Sequence, residues 1–441
     1  MTSLFAVRGD VSRLSVRNRS RLLDRTFDAD PMLRERVTEL LAHVEREGDV
    51  ALREMARELD WVELEELEVP RQACTRALDV LDPALRRAMQ RAADNIATVH
   101  RAVRVMAAEV EPEPGIVVGS RPDPLDRVGV YAPGGRAPYP SSVLMGAIAA
   151  RIAGVREIIL CSPPQKDSGR PADVVLAAAA LAGVDRVFAV GGAGAIAALA
   201  YGTQSVPRVD LIVGPGNAYV AEAKAQVANV VATDAPAGPS ELLVIADASA
   251  TPEIIARELL AQAEHDPNAC VVCITVDAKA ADEIERATQA RLADEPRAAI
   301  ITASLETRGA ILTAASLDEA VTFANAFAPE HVLLAVKDPQ ALLPQVRNAG
   351  TVFLGESASV VFGDYMTGAN HVLPTAGLAR SRSGLSPLDF VRWTTYQRVS
   401  PEAAQRLAGD VAAFADAEGL TAHARAARAW QTARMPAEVT T

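Results

Sequence analysis

Several things are scarce in this chain, and each scarcity excludes a class of protein. There are 4 cysteines in 441 residues (Cys74, Cys161, Cys270 and Cys273), too few and too scattered for a disulfide framework. Cys270 and Cys273 form a C-x-x-C inside the apolar run CVVCITV, which reads as a buried strand. A strand sends residues three apart to opposite faces, so the two thiols cannot hold one metal. No cysteine sits in a turn suited to a nucleophile, which argues against a covalent thioester route. Long apolar runs are missing as well. The longest, such as residues 173–184, are alanine-rich and too short to span a bilayer. The opening MTSLFAVRGDVSRLSVRNRSR has early charges and no continuous apolar core, so no signal peptide is expected. Basic excess is absent too. Lys and Arg total 44 against 56 Asp and Glu, a net charge of -12, which excludes nucleic acid as the main partner. No membrane, no nucleic acid and a cytoplasmic location are the expectations.

What is present describes a packed protein. Hydrophobic residues are 49% and charged residues 23%, and the length suits about three domains at roughly 150 residues each. Residues 11–108 carry apolar positions at helical spacing, with His43 and His100 as surface or packing residues. EPEPGIVVGSRPDPLD (111–126) reads as a connector. Then strands and helices alternate: strands at 127–130, 157–161, 186–190 and 209–213, with small-residue helices between them. A second block holds strands 242–247 and 270–276, helices 252–265 and 278–293, the apolar segment 298–302 and helix 317–327. Strands apolar throughout are the mark of a parallel sheet covered on both faces. The expected fold class is α/β, with two Rossmann-like parallel-sheet domains and helical N-terminal and C-terminal segments. The expected divisions are 1–110, 125–237, 238–380 and 381–441. The tail reads as helix at 401–415 and 421–433, with no further sheet.

The chemistry gathers in 325–375. Glu330 and His331 stand side by side after Ala-Pro, followed by a helix-like segment, a turn at Ala349-Gly350, Gly363-Asp364-Tyr365 and Asn370-His371. Glycines among acids, amides and imidazoles suit backbone bent to bring polar groups to a ligand. Upstream, Gly192-Ala-Gly194-Ala-Ile-Ala197 is a weak G-x-G-x-x-A, because Asp210 begins a strand where a ribose-binding acid should end one. Tyr131-Ala-Pro-Gly-Gly135 and Gly214-Pro-Gly-Asn217 close two more strands. Three such loops favour a nucleotide crevice. Gln262-x-x-His265 places two donors on one helical face, as a pair of metal ligands requires. Asp364 and a further histidine, His371 or His423, would complete a site. With a metal to orient a substrate and a nucleotide to accept hydride, the Glu330–His331 pair suits oxidation of an alcohol.

These motifs come in a particular order: GVYAPGGRAPYPSSVLM, VGGAGAIAALAYGT, GPGNAYVAEAK, DAPAGPSELLVIAD, LLAQAEHDPNA, FAPEHV, FGDYMTGANHVLPTAGLARSRSGLS and AEGLTAHARA. In order and spacing the chain resembles the histidinol dehydrogenase family over nearly its whole length. The resemblance implies oxidation of L-histidinol to L-histidine through histidinaldehyde, in two NAD-dependent steps with one zinc ion (Zn2+) per site. By matching position, Gln262, His265, Asp364 and His423 correspond to zinc ligands, and Glu330 and His331 to acid–base residues. Ser240, His371 and Glu418 correspond to substrate contacts, joined by the zinc ligands and His331. Tyr131, Gly194 and Asn217 fall at cofactor-binding positions. The family commonly carries Gln where this chain has Gly194, so any contact there is through backbone. That departure leaves a related dehydrogenase of another polar alcohol, such as dihydroxypropanesulfonate, as the alternative. A zinc- or nucleotide-binding protein without turnover is the alternative of a different class. The resemblance also implies a homodimer whose tails, carrying Glu418 and His423, complete each other's sites.

Overall fold

The computed structural model describes residues 3–25, 30–103, 105–134, 137–236 and 238–432. Gly135, Ala237 and Ala433, which figure in the sequence motifs and boundaries above, lie outside the described residues. The chain divides into two compact units, Met1–Val103 with Leu125–Phe390, and Arg104–Pro124 with Val391–Thr441.

The larger unit holds two six-stranded sheets of one design. In the first, the parallel strands Arg127–Tyr131, Glu157–Ser162, Arg186–Ala189, Leu211–Val213 and Ala232–Thr233 take the spatial order 3-2-1-4-5. In the second, Glu241–Ala246, Cys270–Thr275, Ala310–Thr313, His331–Ala335 and Thr351–Leu354 take the same order, again all parallel. Each sheet carries one extra edge strand, both from the N-terminal segment. Glu68–Val69 pairs antiparallel with Arg186–Ala189, and Val7–Asp10 pairs parallel with Ala310–Thr313. The helical N-terminal segment therefore supplies an edge to both sheets.

Both faces of each sheet are buried, as the apolar strands require. Along Glu157–Ser162, Ile158 and Leu160 enter one core while Ile159 and Cys161 enter the other. Cys270 and Cys273 likewise fall into separate cores, and burial pushes both thiols up to about 12. They are inert packing residues on opposite faces, as their spacing requires.

Four places differ from the sequence reading. The stretch after Glu330 is a strand, His331–Ala335, before the short helix Pro339–Leu342. The four buried apolar residues after His331 have no periodicity that separates strand from helix. Residues 298–302 open a helix, Ala298–Arg308, and the strand Ala310–Thr313 follows it. The connector at 111–126 lies in a hairpin, Ala108–Glu113 and Ile116–Pro124, turned at Gly115 with φ +83°. Val391–Val399 pairs with it, so the tail contributes a strand to a three-stranded antiparallel sheet. These strands are largely exposed, so their sequence carries no apolar run to announce them.

Candidate functional site

One cavity of about 890 Å³ in the larger unit is lined by Tyr131, Gly194, Asn217, Ser240, Gln262, His265, Glu330, His331, Asp364 and His371. Every site residue expected from the sequence is there except Glu418 and His423. Those two are exposed on the smaller unit, at the C-cap of helix Pro401–Ala417 and on helix Thr421–Ala429. The first sheet meets the cavity with its carboxyl edge: Tyr131 ends one strand, Gly191 and Gly192 follow another, and Pro215–Asn217 follow a third. Its strand order reverses between Arg127–Tyr131 and Leu211–Val213, the position where open α/β sheets bind ligands. The second sheet meets the cavity with its amino edge, since Ser240 precedes one strand and His331 begins another.

On the first side, Tyr131 is 3% exposed and its hydroxyl accepts the Gly192 N–H at 3.2 Å. Gly214 has φ +115°, and a Cβ there would lie 2.1 Å from the Tyr131 carbonyl oxygen, so only glycine fits. Its loop is fixed from below: Lys224 Nζ donates to the Gly214 carbonyl at 2.5 Å and to Asp234 at 2.6 Å, and Asp234 accepts the Gly214 N–H at 2.7 Å. Asn217 caps the next helix by accepting the Val220 N–H at 3.2 Å. At Gly194 a Cβ would meet Met55 Sδ at 3.0 Å, so Met55 borders the space a longer side chain would take.

On the second side, helix Leu317–Phe327 ends at Ala328 in the left-handed region, φ +51°, which turns the chain sharply into Pro329 and Glu330. Such backbone in a residue with a Cβ costs free energy and clusters at functional sites. Glu330 and His331 are 7% and 4% exposed. Glu330 Oε2 accepts the Glu241 N–H at 2.8 Å, and Glu241 Oε2 accepts the Glu330 N–H at 3.3 Å. His331 Nδ1 lies 3.0 Å from the Glu241 carbonyl. A carbonyl only accepts, so Nδ1 carries the proton and Nε2 keeps its lone pair, 3.7 Å from Asp364 Oδ1. His371 Nδ1 is fixed the same way by the Asp364 carbonyl at 2.8 Å.

Burial sets the protonation states. It pushes Glu330 well above the usual carboxylate range against the opposing Glu241 N–H, with the charges of Glu241 and Asp364 adding to the rise. His331 is lowered to about 4, chiefly by burial, so its imidazole is neutral at physiological pH. Burial also lowers His265 and His371. Asp364 is raised to about 7 by burial and by the Glu258 charge. A buried carboxylate among neutral imidazoles is a place prepared for a cation. Among the described residues, no three His, Cys, Asp or Glu side chains form a ready metal cage. Gln262, His265 and Asp364 all line this cavity.

The sequence reading missed Glu241 and Arg25. Arg25 holds Glu241 through both oxygens, at 2.8 and 3.2 Å, donates to the Phe327 carbonyl at 2.7 Å and stacks over the Phe327 ring at 3.4 Å. Glu241 also accepts the Ala376 N–H at 2.9 Å, fixing another left-handed alanine at φ +55°. An acid opening a wholly buried strand was the available signal. His100 is a packing residue, yet it supports the site: its Nε2 lies 3.3 Å from Asn370, next to His371.

The histidinol dehydrogenase family model matches residues 23–430. The histidinol dehydrogenase of Methanosarcina mazei is 46% identical over 394 residues, covering 89% of this chain and 90% of that protein. That of Methanothermobacter thermautotrophicus is 45% identical, covering 95% and 98%. The crystal structure of histidinol dehydrogenase from Elizabethkingia anophelis matches with a TM-score of 0.92 at 33% identity, covering 98% of this chain and 99% of that one.

Proposed function

This chain belongs to the histidinol dehydrogenase family of oxidoreductases, and we propose that it oxidises L-histidinol to L-histidine in two successive NAD-dependent steps at this cavity. The observation that carries the reading is the His331 imidazole, neutral through burial and with the Nε2 lone pair free, beside the buried carboxyl of Glu330. As the C–H hydride leaves, His331 Nε2 takes the alcohol proton, giving the aldehyde. Glu330, once ionised, takes a proton from the water that hydrates the aldehyde. A second hydride then leaves the hydrate and yields the carboxylate. The balance is one alcohol, one water and two NAD+ giving one carboxylate, two NADH and three protons.

Gln262, His265 and Asp364 would hold zinc, with His423 as fourth ligand; amide, imidazole and carboxylate are all zinc donors. Held there, the ion would supply a fixed positive charge to orient histidinol, with Ser240, His371 and Glu418 as further substrate contacts. Tyr131, Asn217 and the backbone at Gly194 would hold NAD, whose chemistry here is to accept hydride.

Because the donor set of the cavity is partial, the reading includes a homodimer in which Glu418 and His423 of one copy complete the site of the other. Refolding His331→Asn together with His423→Ala tests this sharing. In trans, mixed dimers contain one intact site, so about a quarter of normal activity returns under random mixing. In cis no activity returns. Substrate identity is tested by NADH formation from L-histidinol beside dihydroxypropanesulfonate, with turnover expected on histidinol alone.

A further inference from the structure

A dinucleotide-binding half of this topology ends its second strand on an acid that takes the hydroxyls of the adenosine ribose. Here that strand, Glu157–Ser162, runs into Ser162 and Pro163. Ser162 Oγ is buried without a hydrogen-bond partner among the described residues. Pro163 packs so closely on the neighbouring turn that a Cβ at Gly191 would lie 2.6 Å from it. The customary acceptor is therefore missing from the first sheet.

A carboxylate reaches the same cavity from another element. Helix Asp49–Met55 continues into a π-helical turn, Ala56–Asp60, closed by Trp61 in the left-handed region at φ +63°. This stretch gives Leu52, Met55, Leu59 and Asp60 to the wall that also carries Gly191–Gly194. Met55 and Leu52 abut Gly194 itself. The wall thus combines an apolar surface for a base with one acid. Asp60 is half-buried, and burial alone pushes it up to about 6, with no donor opposing the shift. Its charge in turn adds to the burial that raises Tyr131 to about 12. The other charged residue of this wall, Arg36, is engaged with Glu39 at 2.9 Å.

We propose that Asp60 accepts the vicinal hydroxyls of the adenosine ribose, standing in for the missing strand-end acid, and so selects NAD+ over NADP+. This rests on the dinucleotide reading above. Two hydroxyl donors satisfy a carboxylate that the fold leaves without one. A 2′-phosphate removes one donor and brings like charge against the other oxygen.

The test is the equilibrium dissociation constant of NAD+ and of NADP+ for the full-length, zinc-loaded protein, measured by calorimetry in wild type, Asp60→Asn and Asp60→Glu. Wild type should prefer NAD+ by about a hundredfold or more, on the scale of charge-assisted hydrogen bonds and like-charge repulsion. Asp60→Asn should bind NAD+ about tenfold more weakly and NADP+ more tightly, so that the ratio falls to within about tenfold. Asp60→Glu keeps the charge but displaces it, and should lose NAD+ affinity while still rejecting NADP+. L-Histidinol affinity serves as the folding control and should not change. A NAD+/NADP+ ratio unchanged in Asp60→Asn, or equal weakening of both cofactors, overturns the assignment of Asp60 alone. Failure of wild type to bind either dinucleotide overturns the cofactor reading as well.

Discussion

The two sheets share one strand order and yet face the cavity with opposite edges. The first offers the carboxyl ends of its strands, where glycine-rich turns line the cavity. The second offers its amino ends, where Glu330 and His331 are fixed by the backbone of Glu241. Topology thus predicts the ligand edge of the first sheet and fails for the second. What distinguishes the second sheet is its polar chemistry. A buried acid opens the central strand, an arginine neutralises it, and left-handed alanines precede Glu330 and follow the Asn370–Thr375 loop. On the proposed reading the two like sheets serve two uses, cofactor at one edge and acid–base chemistry at the other.

If that division is right, variants at the two edges should fail differently. The largest effect should come from His331→Asn, which removes the lone pair at Nε2. We expect kcat for histidinol oxidation to fall by about 10²–10⁴, the range for losing a general base, with NAD+ affinity unchanged. Asn217→Ala, on the opposite edge, should mainly raise the KM for NAD+. Swapped effects would break the comparison.

Metal removal should follow in size. If Gln262, His265 and Asp364 hold zinc as proposed, chelation should remove nearly all activity and zinc restore it. Full turnover by metal-free protein would show that this edge works without the ion.

Glu330→Gln should separate the two steps, slowing aldehyde oxidation by about 10²-fold and alcohol oxidation far less. The pH dependence has a definite sign. Burial holds Glu330 protonated above the ordinary carboxylate range, and the base is its ionised form. Aldehyde oxidation should therefore rise with pH through that raised value, and the rise should vanish in Glu330→Gln. His331 is already neutral above about 4, so its titration should not limit the first step at neutral pH. Equal losses in both steps, or a pH limb that survives in the Gln variant, would contradict the assignment.

The smallest effect should come from Gly194→Gln, measured by the KM for NAD+ and thermal melting. A Cβ there would meet only the thioether of Met55 at 3.0 Å and Leu52 at 3.4 Å, flexible side chains that can shift. We expect a change in KM of about threefold or less and little loss of stability. A large loss of either would show that the first edge needs glycine at this position.

The parallel-sheet halves were legible because buried strands leave continuous apolar runs, and the site because glycines, acids and imidazoles crowd into short stretches. His331–Ala335 was read as helix because the four buried apolar residues after His331 carry no period, although that strand places His331 at the cavity. The hairpin at 108–124 and the strand Val391–Val399 were missed because exposed strands leave no such run. Glu241 and Arg25 escaped because their partnership joins positions far apart in the chain, and the one local signal, an acid opening a wholly buried strand, does not point to its partner. Asp60 was equally silent, a lone acid in a helical, charged stretch.

The central claim is that one cavity, with its cofactor edge and its acid–base edge, carries the alcohol to the carboxylate. Its most direct test is the amount of NADH formed per L-histidinol consumed by the zinc-loaded protein, with released aldehyde trapped and counted. The account predicts two NADH per histidinol with little free aldehyde. One NADH with an equal amount of aldehyde, or no NADH at all, would contradict it.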